Sequence, residues 1–242
     1  MLTNITFRFY FKGSLLFIFS TLLLLKTAAQ DSSYTRPAVT DSWDEYKKQV
    51  KESPWKKMIE LKSVMPDIVY DLRYATTNNF MKRLMYPGST RHTYLRLLAA
   101  NSLRSVQEEL KTKGYGLKIF DAYRPYSVTV KFWELVKDER YVANPSKGSG
   151  HNRGLAVDLT IINTKTGKEL DMGTGFDNFT DSAHQSFTKL PEEVLQNRQL
   201  LKSTMEKYGF KPYDTEWWHF FLPGSDKYEI LDIDFKKLAK AL

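Results

Sequence analysis

The sequence predicts an α+β domain in which helices pack against an antiparallel β-sheet. Helical stretches are segregated from hairpin-prone strands, and parallel strand–helix–strand alternation is not evident. Neither a dinucleotide fingerprint nor a phosphate loop occurs.

The chain has 242 residues, 42% of them hydrophobic and 26% charged, which suits one folded domain after a leader. Residues 1–29 are read as that leader. Arg8, Lys12 and Lys26 are their only charges, and Leu15 to Leu25 is an apolar run of signal-peptide length. Thr27-Ala28-Ala29 supplies small residues for cleavage, expected before Gln30. The rival reading is a retained anchor, because the apolar run extends back through Phe7 to Phe11. With no cysteine, the chain offers no thiol to carry a lipoprotein's lipid, no disulfides and no thiolate ligands, so packing or a bound metal is expected to supply stability. Of the formal charge of +8, three positive charges lie in the leader with no acid beside them, which leaves five. That surplus is spread out and no nucleic-acid module accompanies it, so nucleic-acid binding is not expected.

In order, residues 30–41 are polar and read as a tether. Trp43, Tyr46 and Val50 space a short helix, and Pro54 restarts it or begins another through Leu61. Residues 67–74 alternate as a strand, with Ile68, Tyr70 and Leu72 on one face. Residues 93–113 form the clearest helix and end at Gly114. Residues 116–121 are a strand with Asp121 and Arg124 just past its end. Pro125 starts a helix over 126–136, with Val130, Trp133 and Leu135 or Val136 inward. In 155–161, Leu155, Val157, Leu159 and Ile161 point to a core, while Ala156, Asp158 and Thr160 point the other way. A turn at 163–168, a glycine-bearing loop at 172–177, a helix over 191–208 and a strand over 217–222 complete the chain.

Asp158 interrupts an apolar strand, where a free charge is costly and a cation would answer it. His151, seven residues earlier with Gly154 between, can curl back over that strand face. His219 interrupts the other aromatic strand. Two imidazoles and a carboxylate suit a catalytic zinc, with manganese or iron(II) as the alternatives. Glu216 is the spare carboxylate. On a regular strand it would face away from His219, so the two converge only if Glu216 sits at a bend following the turn at 212–215. Arg124 either pairs with Asp121 or reaches the site, where its guanidinium can stabilise an oxyanion. His92 reads as a surface or capping residue and His184 as a loop residue. Ser149 lacks the strand-to-helix elbow of a nucleophile.

The motifs Asp71-Leu-Arg-Tyr-Ala-Thr-Thr-Asn-Asn-Phe80, Asp121-Ala-Tyr-Arg-Pro125, Ser149-Gly-His-Asn-Arg-Gly-Leu-Ala-Val-Asp158, Met172-Gly-Thr-Gly-Phe-Asp177 and Glu216-Trp-Trp-His219 follow one another in this order. In this the chain resembles the VanX-type D-alanyl-D-alanine dipeptidases, zinc peptidases related to D,D-carboxypeptidases and the Hedgehog signalling domain. The resemblance implies a Hedgehog/D,D-peptidase-like fold and one zinc on His151, Asp158 and His219. It implies Glu216 as catalytic base, Arg124 as transition-state stabiliser and Asp121 as its support. Tyr74 and Asp177 would lie near the substrate's amino end and Ser149 near its carboxylate. The expected organisation is a leader (1–29), a tether with helical extension (30–65) and a catalytic domain (66–242). The expected protein is exported to the periplasm, is not stably inserted in a membrane after leader removal, and acts on a small D,D-dipeptide in peptidoglycan turnover or salvage. A D,D-carboxypeptidase and an inactive Hedgehog-like zinc module are the alternatives.

Overall fold

Residues 34–240 are described in the computed structural model, so the expected leader lies outside them. Val39–Thr40 (β1), inside the stretch read as a tether, is already paired strand. Ser42 caps α1 (Trp43–Glu52), its hydroxyl accepting from the Glu45 N–H, and Asp44 and Glu45 sit where the helix dipole favours acids. Tyr46 is the buried residue of α1, and its hydroxyl accepts from the Met58 N–H at 2.8 Å.

The helix expected from Pro54 through Leu61 is instead one tight turn at Pro54–Lys56, then β2 (Met58–Glu60) and a short α2 (Leu61–Val64). The strand expected over 67–74 shortens to β3 (Val69–Tyr70). Asp71 N–H still donates to Ile119 O, but a helical turn at Arg73–Ala75 follows and buries Tyr74. The helix expected over 93–113 begins late, because Tyr94–Arg96 (β4) pairs antiparallel with β2, and α3 covers Leu97–Thr112. A partner strand far along the chain overrode local helical spacing in both segments.

Next come β5 (Tyr115–Asp121), α4 (Tyr126–Leu135) and β6 (Ala156–Asn163). Then follow α5 (Glu192–Lys207), β7 (Lys211–Tyr213), β8 (Glu216–Phe221), β9 (Ile230–Leu231) and α6 (Phe235–Ala239). The inward face of α4 differs from the expected one: Tyr126, Val128, Thr129 and Phe132 are buried, and Leu135 is 61% exposed. The helix turns toward the loop that carries His151, so a threonine hydroxyl bonded to Asn152 outranks a leucine there.

The central sheet has the order β3-β5-β6-β8-β7. β5, β6, β8 and β7 are antiparallel in succession, as expected, and β3 joins the edge parallel to β5. The long connection from β3 to β5, which contains α3, is the crossover that parallel pairing requires. α3 and α5 pack on one face over Leu103, Val106, Leu117, Val157, Leu159, Ile161, Leu201 and Met205, all buried. β1 pairs in parallel with β9, so the two ends of the described chain meet. Among the described residues no helix is long and apolar enough to cross a membrane.

Gly154, just before β6, has φ +70, and a Cβ there would lie 2.8 Å from the Met58 Sδ. Gly154→Ala is therefore expected to destabilise the fold by about 1–3 kcal/mol, combining backbone strain with a clash. Urea unfolding checks this; an unchanged midpoint would contradict it.

Candidate metal centre and its cleft

Adjacent strands bring the chemistry together on the sheet face away from α3 and α5. Asp121 on β5 lies opposite Asp158 on β6, and Asp158 lies opposite His219 on β8. Residues opposite each other across a ladder project to the same side, so the three form a row. A register shift between Ile119 and Asp121 brings Asp121 into line.

His151 arrives from the turn ahead of β6. Its Nδ1 lies 2.7 Å from the Ala122 carbonyl oxygen, which can only accept, so Nδ1 carries the proton and Nε2 presents a lone pair. Asn152 fixes the turn. It is fully buried, its Nδ2 donates to Arg124 O (2.8 Å) and Thr129 Oγ1 (2.9 Å), its Oδ1 accepts from the Ser149 N–H, and its own N–H donates to Ser149 Oγ. Sequence reasoning passed over Asn152 because only the structure shows an amide with this many partners.

His151 Nε2 lies 3.3 Å from His219 Nδ1 and 3.4 Å from Asp158 Oδ2, and His219 Nδ1 lies 2.9 Å from Asp158 Oδ1. Donor atoms around a four-coordinate zinc stand about 3.3–3.5 Å apart. The triplet therefore fits such an ion with little adjustment, and among the described residues it is the group of His and acid side chains that converges this way. Charge points the same way. Asp121, Asp158, Asp177 and Glu216 are four buried or nearly buried carboxyls around one guanidinium, Arg124. Burial opposes the charge of Asp158, yet His151 and His219 outweigh it and hold that carboxyl below its ordinary range. Burial also lowers the His219 pKa, favouring the neutral imidazole a metal needs. The three residues form a zinc site.

Glu216 reaches the site by the bend the sequence required. Between the pairs Pro212↔Phe220 and Tyr213↔Glu216, one step along β7 matches four along β8, while the ladder with β6 stops at His219. The strand leaves its neighbour there, and Glu216 Oε2 comes within 3.8 Å of His219 Nδ1. Burial raises the Glu216 pKa well above the carboxylate range, and Asp158 and Asp177 add to the shift.

Arg124 pairs with Asp121 and also stands beside the metal triplet. Its Nε and a terminal nitrogen each lie 2.9 Å from Asp121 Oδ2, and the guanidinium also stands 3.6 Å from Asp158. The rings of Tyr74 and Phe132 flank it at 5.2 and 4.8 Å. Tyr86, unremarked in the sequence, donates to Asp121 Oδ1 at 2.7 Å and so completes that carboxylate's bonding.

Asp177 takes the left-handed conformation, φ 61, which aspartate tolerates better than most residues. Its Oδ1 accepts from the Tyr74 hydroxyl at 3.0 Å and its Oδ2 from the Phe80 N–H at 3.1 Å. Burial nevertheless pushes its pKa up to about 7. Ser149 lies on the cleft wall with His151, Glu216 and His219, and the cleft measures about 350 Å³. The 138–147 loop forms another wall. It is tied down where Tyr213 OH donates to Glu139 O (2.9 Å), Thr215 Oγ1 to Arg140 O (2.6 Å), and Tyr141 stacks on Phe179. His92 and His184 stand apart from this group, beside Glu60 and Asp181.

A metal triplet open to a cleft, with a carboxylate beside it, defines a hydrolytic metalloenzyme rather than a structural zinc module, which closes all four positions with protein. Within that class the chain belongs to the peptidase M15 family: the family model described as D-ala-D-ala dipeptidase matches residues 55–238. It is 33% identical over 179 residues to the D-alanyl-D-alanine dipeptidase of Escherichia coli K12, covering 74% of this chain and 91% of that protein. Against the D-alanyl-D-alanine dipeptidase of Enterococcus faecium it is 32% identical, covering 67% of this chain and 89% of the relative. Among solved structures, VanYB in complex with D-alanine-D-alanine aligns at 14% identity with a TM-score of 0.38, over 57% of this chain and 76% of that one.

Proposed function

We propose that this chain hydrolyses D-alanyl-D-alanine, or a closely similar D,D-dipeptide, to free amino acids. The observation that carries the reading is the convergence of His151, Asp158 and His219 with Glu216 beside them. Zinc on those three residues supplies the Lewis acidity that polarises a peptide carbonyl and acidifies water. Glu216 takes the proton of the attacking water and returns it to the departing amine, which asks for a base of raised pKa. Arg124, oriented by Asp121 and Tyr86 and flanked by two rings, meets the negative charge that builds on the carbonyl oxygen.

Asp177 accepts the substrate's ammonium group, and Tyr74 holds it in place. A longer peptide offers no charge at that point. This favours a dipeptidase over a D,D-carboxypeptidase acting on stem peptides. Outside the membrane, to which the leader would direct the chain, such an enzyme meets wall fragments, which suits peptidoglycan turnover or salvage.

The test is to incubate the zinc-loaded protein with D-Ala-D-Ala, L-Ala-L-Ala and a wall pentapeptide and measure free alanine. Release from D-Ala-D-Ala alone supports the reading, and release from the pentapeptide alone would replace it with the carboxypeptidase.

Asp177 also gives the reaction a pH dependence. With its pKa near 7 the free enzyme carries this carboxyl protonated below that pH and ionised above it, and only the ionised form attracts ammonium. kcat/KM is therefore expected to climb as pH rises from 6 to 8. Asp177→Asn should raise KM about 100-fold, the worth of a charged hydrogen bond, and should lose that part of the climb. A mutant profile that keeps the wild-type slope would remove Asp177 from ammonium binding.

A further inference from the structure

Three cations line the cleft, and two of them are neutralised. Arg124 is paired with Asp121, and Lys147 lies 2.6 Å from Glu139. Arg153 differs. One terminal nitrogen donates to Ser149 O at 3.2 Å and the other to Lys147 O at 2.9 Å, while its buried Nε has no partner. Among the described residues no carboxylate pairs with it. Carbonyl oxygens satisfy the hydrogen bonds of a guanidinium but leave its charge in place. A partly buried, uncompensated cation at the edge of a reaction cleft is an anion site awaiting its anion.

A dipeptide brings one such anion, and its polarity says where that anion lies. With the ammonium end at Asp177 and the scissile bond at the zinc triplet, the free carboxylate falls on the opposite side. Ser149 and Arg153 line the cleft beside the triplet and Asp177 is not among its lining residues, and Ser149 has its carbonyl held by Arg153 and its hydroxyl oxygen accepting from the Asn152 N–H. That leaves the Ser149 hydroxyl proton free to donate.

We propose that Arg153 determines specificity for a free C-terminal carboxylate, its charge acting together with the Ser149 hydroxyl. The inference rests on the dipeptidase reading and deepens it. The competing role is a purely structural clamp on the 147–149 loop, and the two separate experimentally.

Arg153→Gln keeps donors for the two carbonyls and removes the charge, whereas Arg153→Lys keeps the charge. Each is compared with wild type for KM and kcat on D-Ala-D-Ala at several ionic strengths. The inhibition constant of D-alanyl-D-alaninamide, which lacks the carboxylate, is measured as well, with zinc content and Tm as checks on folding. Expected for Arg153→Gln is a KM raised about 30-fold with kcat within about 3-fold, as for the loss of one ion pair in a sheltered site. Its KM should no longer rise with salt, its affinity for the amide should be unchanged, and Arg153→Lys should recover most of the loss. Equal weakening toward acid and amide, a retained salt dependence, or Arg153→Lys as impaired as Arg153→Gln would assign Arg153 to the clamp and overturn the proposal. Failure of the wild type itself to cleave D-Ala-D-Ala would be a different result, and would remove the dipeptidase reading first.

Discussion

Replacing Glu216 with glutamine is expected to leave zinc in place and to lower kcat by about 10³-fold or more. The amide has nearly the shape of the carboxyl, so β8 and its bend should persist, and Glu216 is not among the three converging donors. What is lost is a group that can take a proton from water and return it to nitrogen, a function worth about 10²–10⁴-fold by itself. KM should move little, because the contacts proposed for the substrate's charged ends lie at Asp177 and Ser149. Steady-state kinetics with metal analysis on the same sample decides it. A glutamine variant of near-normal turnover would assign the proton transfer to another residue, and one that lost its zinc would make Glu216 a ligand.

The second large effect follows from removing a donor. Asp158→Ala deletes the carboxylate that lies 2.9 Å from His219 and 3.4 Å from His151, and it leaves the triplet with two neutral nitrogens. Zinc affinity should collapse and kcat/KM should fall at least about 10³-fold, since the metal contributes several kcal/mol to the barrier reduction. Stability should change too. Breaking a buried charge cluster by deleting one partner costs about 3–5 kcal/mol in comparable settings, and Arg124 loses one of the two carboxylates within ion-pair distance of it. Chelation of the wild type should reproduce the activity loss and be reversed by added zinc. Full activity in a metal-free sample would refute the centre.

The fold class and the metal triplet were legible in the sequence, the bounds of single elements less so. Asp158 stood out because alternation in β6 put a carboxylate where a free charge is costly, and a local periodicity is enough to reveal that. The convergence of Glu216 with His219 could be stated as a condition, a bend after the 212–215 turn, and the bulged pairing of β7 with β8 meets it. Segments decided by distant partners could not be read this way. β2 and β4 carry helix-like spacing yet pair with each other, and β3 ends after two residues because the following turn buries Tyr74 against Phe132 and Phe176. The inward face of α4 was misjudged for a related reason: it packs against a polar turn, and hydrophobic spacing does not report a buried Thr129 bonded to an amide. Asn152 and Tyr86 escaped because residues that hold other functional side chains show themselves only through their partners.

The pairing of Val39 with Ile230 has a bearing on when the protein matures. The first strand of the described chain must wait for almost all of the remainder to be synthesised before its backbone groups find their ladder, and closing so long a loop slows assembly. A nascent chain of this kind keeps its first strand unpaired until its last elements have emerged, so the native clasp closes only at the end of synthesis.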